Sequence, residues 1–218
     1  MAEPLLEEGG EMMRLFSLLT VLAVSWGLAN SSFAQSTDGS EEYSNPCEAS
    51  PISDFDFWVG EWVAFDYDTG IVEGFDVIEK VNNGCAIIQN WTQLTDRFRD
   101  PGAPYRYSGL SFSSVLPDGQ WQQTWVGNAG NSIVNRGSLN DQGTMVLISG
   151  EQTFINAEGA ETVFERTWFF DPQDDGSVHM WGEIRNLDGE GNWSDPVIQW
   201  NLNYISRHEA PNLVVGGD

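Results

Sequence analysis

The chain has 218 residues, with 33 Asp and Glu against 9 Lys and Arg, for a formal net charge of −24. Its hydrophobic fraction of 40%, with 10 Trp, 12 Phe and 5 Tyr, is enough for one well-buried core and argues against wholesale disorder. So anionic a surface repels phosphate backbones and anionic headgroups, which argues against nucleic acid as a partner and against peripheral membrane binding.

Residues 15–29 form an apolar run of 15 residues, shorter than the ~20 that a membrane-spanning helix needs. Arg14 precedes the run, and Ser32 and Ala34 place small residues three and one positions before a cut after Ala34. Residues 1–34 therefore read as a secretory signal peptide, with a transmembrane anchor as the alternative. Residues 1–11 carry Glu3, Glu7, Glu8 and Glu11, the wrong charge for the start of a signal peptide. Their Glu-Glu-Gly-Gly stretch suggests a translated ribosome-binding site, with initiation at Met12 or Met13 of a bacterial gene. Removing 1–34 leaves 184 residues and a net charge of −21. No lipid-attachment cysteine follows the apolar run. The expectation is a secreted or periplasmic protein without a stable membrane anchor.

Residues 35–50 are polar and aperiodic, a flexible leader. Cys47 and Cys85 are the only cysteines. Export to an oxidising compartment makes a bridge between them the expected state. It would tie the leader to the folded domain across 37 intervening residues, a stabilisation of ~4 kcal/mol on the chain-entropy model.

One domain is expected over 51–210, with a tail at 211–218. Within it, nine clusters rich in Gly, Asn, Asp and Pro fall at 68–70, 82–84, 100–102, 117–119, 127–131, 140–143, 156–159, 172–176 and 188–191. They separate ten strand-like runs, at 61–67, 73–81, 85–93, 105–116, 120–126, 132–140, 144–154, 161–170, 177–186 and 196–207. In the last run Ile198, Trp200, Leu202 and Tyr204 fall on one face by period two. Residues 54–60 could form one short helical turn. Ten strands joined by short loops are antiparallel neighbours, and closure removes their two exposed edges. The predicted fold is all-β, a ten-stranded antiparallel up-and-down barrel, with a β-sandwich as the alternative. A barrel of that size encloses more volume than its side chains readily fill.

The block Phe55-Asp56-Phe57-Trp58-Val59-Gly60-Glu61-Trp62 resembles the F-x-F-x-x-G-x-W opening of a family of uncharacterised exported bacterial proteins. Asn83-Gly84-Cys85, Gly119-Gln120-Trp121 and Tyr204 with Arg207 fit the same family more weakly, over 54–207 in all. Gly60-Glu61-Trp62 is also similar to the Gly-x-Trp of lipocalins and related calycin barrels. That resemblance implies a barrel with Trp62 plugging one end and Arg207 of the last strand stacked over it. The chain lacks the long C-terminal helix of true lipocalins. It also resembles nitrobindin-type barrels, although neither His179 nor His208 sits in a haem-ligand motif.

Catalytic signatures are sparse. There is no Gly-x-Ser-x-Gly, His-Glu-x-x-His, Cys-x-x-Cys, phosphate loop or dinucleotide fingerprint, and no cofactor or metal site is expected. His179 and Glu183 share a strand face but lie ~13 Å apart, so neither pairs with the other; either could pair across strands, for instance with Arg166 or Glu165 on the preceding strand. The run 186–191 fails as a calcium loop because Val197 stands where the bidentate Glu belongs. Two glycosylation sequons, at Asn90 and Asn192, read as chance. Arg97, Arg99 and Arg106 cluster around one loop and form either a carboxylate-attracting patch or ordinary rim ion pairs.

The aromatics point inward. A cavity lined by Trp91, Trp125, Trp168 and Trp200, with Arg166 and Tyr107 as polar anchors, would hold a small apolar or amphipathic molecule. The alternatives are an isomerase, cyclase or hydrolase using the same cavity through His179 or Glu183, and a structural module whose barrel is filled. The sequence leaves the ligand and the oligomeric state open.

Overall fold

The computed structural model describes residues 44–99, 101–155 and 158–210. The predicted signal peptide, the start of the leader and the C-terminal tail lie outside these residues.

Two 3-10 turns, Pro46–Glu48 and Asp56–Trp58, lead into ten strands. They are β1 Gly60–Asp66, β2 Val72–Val81, β3 Ala86–Gln93, β4 Ser108–Val115, β5 Trp121–Gly127, β6 Ser132–Leu139, β7 Met145–Ile155, β8 Glu161–Pro172, β9 Val178–Leu187 and β10 Val197–Ser206. Each of the nine turn clusters contains one glycine with φ between +70° and +89°, the geometry that tight hairpins require. Every strand pairs antiparallel with its sequence neighbours, and β1 closes the ring on β10 from Trp62 opposite Ser206 to Asp66 opposite Leu202. The fold is a closed ten-stranded up-and-down barrel, as the turn spacing predicts, and not a sandwich.

β4 begins three residues later than expected. The side chain of Asn128 takes over its first ladder contacts, accepting from the Ser108 amide at 3.1 Å and donating to the Arg106 carbonyl at 2.9 Å. Tyr105, Arg106 and Tyr107 remain in the long β3–β4 loop. In β10 a bulge between Ile198 and Trp200 puts Ile198 opposite Glu183 and leaves it 56% exposed. The single apolar face expected for Ile198, Trp200, Leu202 and Tyr204 thus starts only at Trp200.

One end of the barrel is sealed by the segment ahead of β1. Phe55 and Trp58 are fully buried and pack edge-on against Phe170, with centroids 5.0 and 5.2 Å away. Phe55 also meets Trp121, and Trp58 meets Tyr204 at 4.6 Å. Trp62 stacks on Trp58 at 5.9 Å and donates its indole N–H to the Trp58 carbonyl at 3.0 Å. The Trp121 indole does the same to the Pro51 carbonyl at 3.0 Å. A Cβ on Gly60 would sit 3.2 Å from the Trp62 indole nitrogen, so the small residue lets that ring fold back. These contacts account for the spacing of the opening block. Phe55 and Trp58 are the stopper, and Trp62 is the shelf beneath them.

The Cys47–Cys85 disulfide pins the stopper to the β2–β3 turn, with the Asn45 amide donating to the Asn83 carbonyl at 2.8 Å and Lys80 pairing with Asp56 at 2.7 Å. The expected bridge is present. Arg207, by contrast, does not cover Trp62. It shares the outer face with Ile205, ion-pairs with Glu61 at 3.3 Å and lies over the Phe75 ring at 5.3 Å. Period two decides this: Trp62 pairs with Ser206, which places Arg207 on the opposite face.

Replacing Trp58 by Ala should cost about 3–5 kcal/mol, the usual loss for a large buried aromatic. Urea denaturation of the variant beside the wild type measures it.

Candidate functional site

The stopper fills one end of the interior, and side chains further along each strand leave a cavity of about 300 Å³ toward the other. All six residues expected to line a ligand site, Trp91, Tyr107, Trp125, Arg166, Trp168 and Trp200, stand on its wall. They come from β3, β5, β8, β10 and the loop before β4, brought to one space by the inward half of each strand's alternation. The indoles form a row of edge contacts, Trp125 to Trp168 at 6.0 Å and Trp168 to Trp200 at 5.9 Å.

Small residues make room for them. A Cβ added at inward-facing Gly74, Gly109 or Gly182 would overlap the ring of Trp91, Trp125 or Trp200 respectively. Each indole therefore lies flat against the wall instead of filling the lumen. Gly109 is directly opposite Trp91, and Gly182 directly opposite Trp200.

The polar groups at the wall include several donors and one buried acceptor without a partner among the described residues, the Asn131 Oδ1. Trp125 and Asn131 both donate to the Tyr107 hydroxyl oxygen, at 2.9 and 3.1 Å, which leaves the Tyr107 proton to be given elsewhere. The Arg166 guanidinium lies over the Phe164 ring at 4.5 Å and donates to Gln199 and Gln152, each at 3.2 Å. Burial holds its pKa below the ordinary arginine value. The indole N–H of Trp168 is buried and has no acceptor among the described residues.

A feature with no counterpart in the sequence reading runs through the barrel wall beside the cavity. Asn135 donates to Gln123, Gln123 to Ser111, Ser111 to Gln89 and Gln89 to Asp76, at 3.4, 3.4, 3.0 and 2.6 Å. Five inward positions on β2 to β6 thus form one chain of hydrogen bonds, all directed at a carboxyl that is fully buried. Burial pushes the Asp76 pKa up to about 8, partly offset by the hydrogen bonds from Gln89 and the Val77 amide. Its neighbour Tyr204 is raised by burial too, and by the Asp76 charge. Gln89 and Tyr204 reach the cavity wall, while Asp76 stands behind them.

His179 and Glu183 are not in the cavity. They occupy outward positions of β9, whose inward face is Val178, Met180 and Gly182. His179 is stacked between Tyr67 at 4.3 Å and Trp181 at 4.7 Å and bonds Asn201 at 2.7 Å. Glu183 accepts from the Trp181 indole at 3.1 Å. Neither reaches Arg166 or Glu165, since Arg166 points inward and Glu165 pairs with Arg185 at 2.7 Å. From the outer face neither side chain can transfer a proton to a molecule inside the barrel. The loop arginines resolve as rim ion pairs: Arg97 with Asp66 at 2.9 Å, and Arg99 and Arg106 both with Asp96, at 3.1 and 3.8 Å.

Among the described residues no His, Cys, Asp and Glu group of three is placed to hold a metal ion, and no helix is long and apolar enough to cross a membrane. Compared with known proteins, the chain matches no family model and no curated sequence. Its ten-stranded antiparallel barrel fits a calycin-like architecture.

The buried carboxyl predicts a pH effect with a definite sign. Folded, Asp76 keeps its proton to about pH 8, whereas an unfolded Asp releases it near ~3.9. Between those values the unfolded chain binds fewer protons, so this group's contribution to stability falls as pH rises. Asp76→Asn keeps the acceptor for Gln89 and has no proton to lose. Its stability relative to wild type should climb between pH 5 and pH 8 by up to about 1.4 kcal/mol per pH unit. Urea denaturation at four pH values checks this, and a difference that stays flat would mean Asp76 is ionised in the fold.

Proposed function

We propose that this protein is an exported binding protein that holds a small apolar or amphipathic molecule inside its barrel. The observation that carries the reading is the cavity itself, about 300 Å³ and lined by four indoles on glycine-relieved walls. Close packing is the rule for protein interiors, so a lumen left unfilled beyond indoles that are seated against glycines favours an occupant over a side-chain-filled barrel. The volume is at the lower end of the ~300–1,000 Å³ of known ligand sites, which suits a molecule of one or two rings better than a long-chain lipid. The disulfide and the predicted signal peptide support an oxidising, extracytoplasmic compartment. The opening Phe55-to-Trp62 block supports membership of the exported bacterial family that it resembles.

Native mass spectrometry of the exported protein purified from its own host should show a retained small molecule. Repeated clean apo masses, with no quenching of tryptophan fluorescence by host extracts, would count against the reading. His179→Ala should leave any such binding unchanged, because the imidazole stacks on the outer wall. Lost binding in that variant, with stability intact, would relocate the site.

A further inference from the structure

The eight Lys and Arg among the described residues are treated unequally. Lys80, Arg97, Arg99, Arg106, Arg136, Arg185 and Arg207 each have a carboxylate within 4.0 Å. Arg166 has none among those residues, in a chain with 33 acidic side chains. It is also the arginine that faces the cavity, and its protein partners are two neutral amides. A guanidinium carries five N–H donors, of which these bonds use two. The Tyr107 hydroxyl proton and the Trp168 indole N–H stand on the same wall without an acceptor among the described residues, and the one buried acceptor there without a partner is the neutral Asn131 Oδ1.

A partly buried site whose one charged group is a cation without a carboxylate beside it is complementary to an anion. A cationic ligand would be repelled, and a purely apolar one would leave the guanidinium desolvated and unpaired. The planar guanidinium fork matches a carboxylate, and indole walls favour a flat aromatic body. We propose that the occupant is a planar aromatic monocarboxylate, its carboxylate bound by Arg166 and Tyr107 and its ring lying among the cavity tryptophans. This rests on the cavity being a binding site, and it assigns the ligand's chemical class.

The test uses 2-naphthoate and its neutral isostere 2-naphthamide, titrated at pH 7 by calorimetry and tryptophan fluorescence. Wild type should bind the acid more tightly than the amide by about tenfold or more, the usual value of a charge-assisted hydrogen bond. Arg166→Gln should lose that preference and leave the amide affinity within about threefold. Its unfolding temperature should equal or exceed that of wild type, because a partly buried charge without a carboxylate partner has been removed. Equal wild-type affinity for acid and amide would overturn the anion assignment and leave the cavity reading standing. So would an Arg166→Gln variant that folds and keeps the acid preference. If neither probe binds and the host-purified protein carries no small molecule, the cavity reading fails and the assignment falls with it.

Discussion

Closing ten antiparallel strands into one ring satisfies every edge but encloses more space than strand side chains fill, and the rest of the structure follows from how that space is divided. At one end the chain supplies its own filling. Phe55 and Trp58 enter from outside the ring, lock against Trp62, Trp121, Phe170 and Tyr204, and are tethered by the disulfide to the β2–β3 turn. Toward the other end the lumen stays open. The difference is made by side-chain size: bulky groups converge on the stopper, whereas Gly74, Gly109 and Gly182 stand beside the cavity indoles.

Between wall and lumen lies a polar compromise. Inward-facing Asp76, Gln89, Ser111, Gln123 and Asn135 would each be costly alone in an apolar barrel. Linked in one directional chain, they partner one another except at its two ends, where one oxygen each of Asp76 and Asn135 has no partner among the described residues, and the terminal carboxyl escapes the cost of a buried charge by keeping its proton to about pH 8. Electrostatics is arranged by the same logic at larger scale. Most of the acidic excess faces water on the turns and outer strands, and the cations are drawn to it there. Arg166 is held apart on the inner wall, over Phe164, where no described carboxylate reaches it. That separation turns an ordinary arginine into the polar anchor of the proposed site.

Much of the fold was legible because hairpin chemistry is local. The Asn82-Asn83-Gly84 turn needs positive φ at all three residues, and only a few residue types tolerate it. The four cavity tryptophans were also recoverable, because bulky aromatics in alternating strands favour the inside. What alternation does not carry is its sign. In β4 the apolar Leu110 and Phe112 are 58% and 47% exposed, whereas Ser111 and Ser113 are buried. The inner positions there must be small to accommodate the indoles and the polar chain, so the hydrophobic face points outward. Asp76 was hidden for a related reason. Its strand alternates Glu73, Phe75 and Val77 with Gly74, Asp76 and Ile78, and neither set is uniformly apolar. His179 and Glu183 share one face by period two, but that face is the outer one.

The excess of acid, the nine turns and the rhythm of ten strands determine by themselves that this chain forms consecutive antiparallel strands with an anionic exterior, as a barrel or a sandwich. Each depends on neighbours in sequence or on simple counts. Which face of each strand is inside, which end is stoppered and which arginine lacks a carboxylate depend on contacts between residues far apart in the chain. The bulge before Trp200, the ring closure of β1 on β10 and the seating of Trp58 decide those matters together. The sequence therefore established that there would be an interior. Only the closed ring decided that Arg166 faces into it without a carboxylate beside it, and that Arg207 does not.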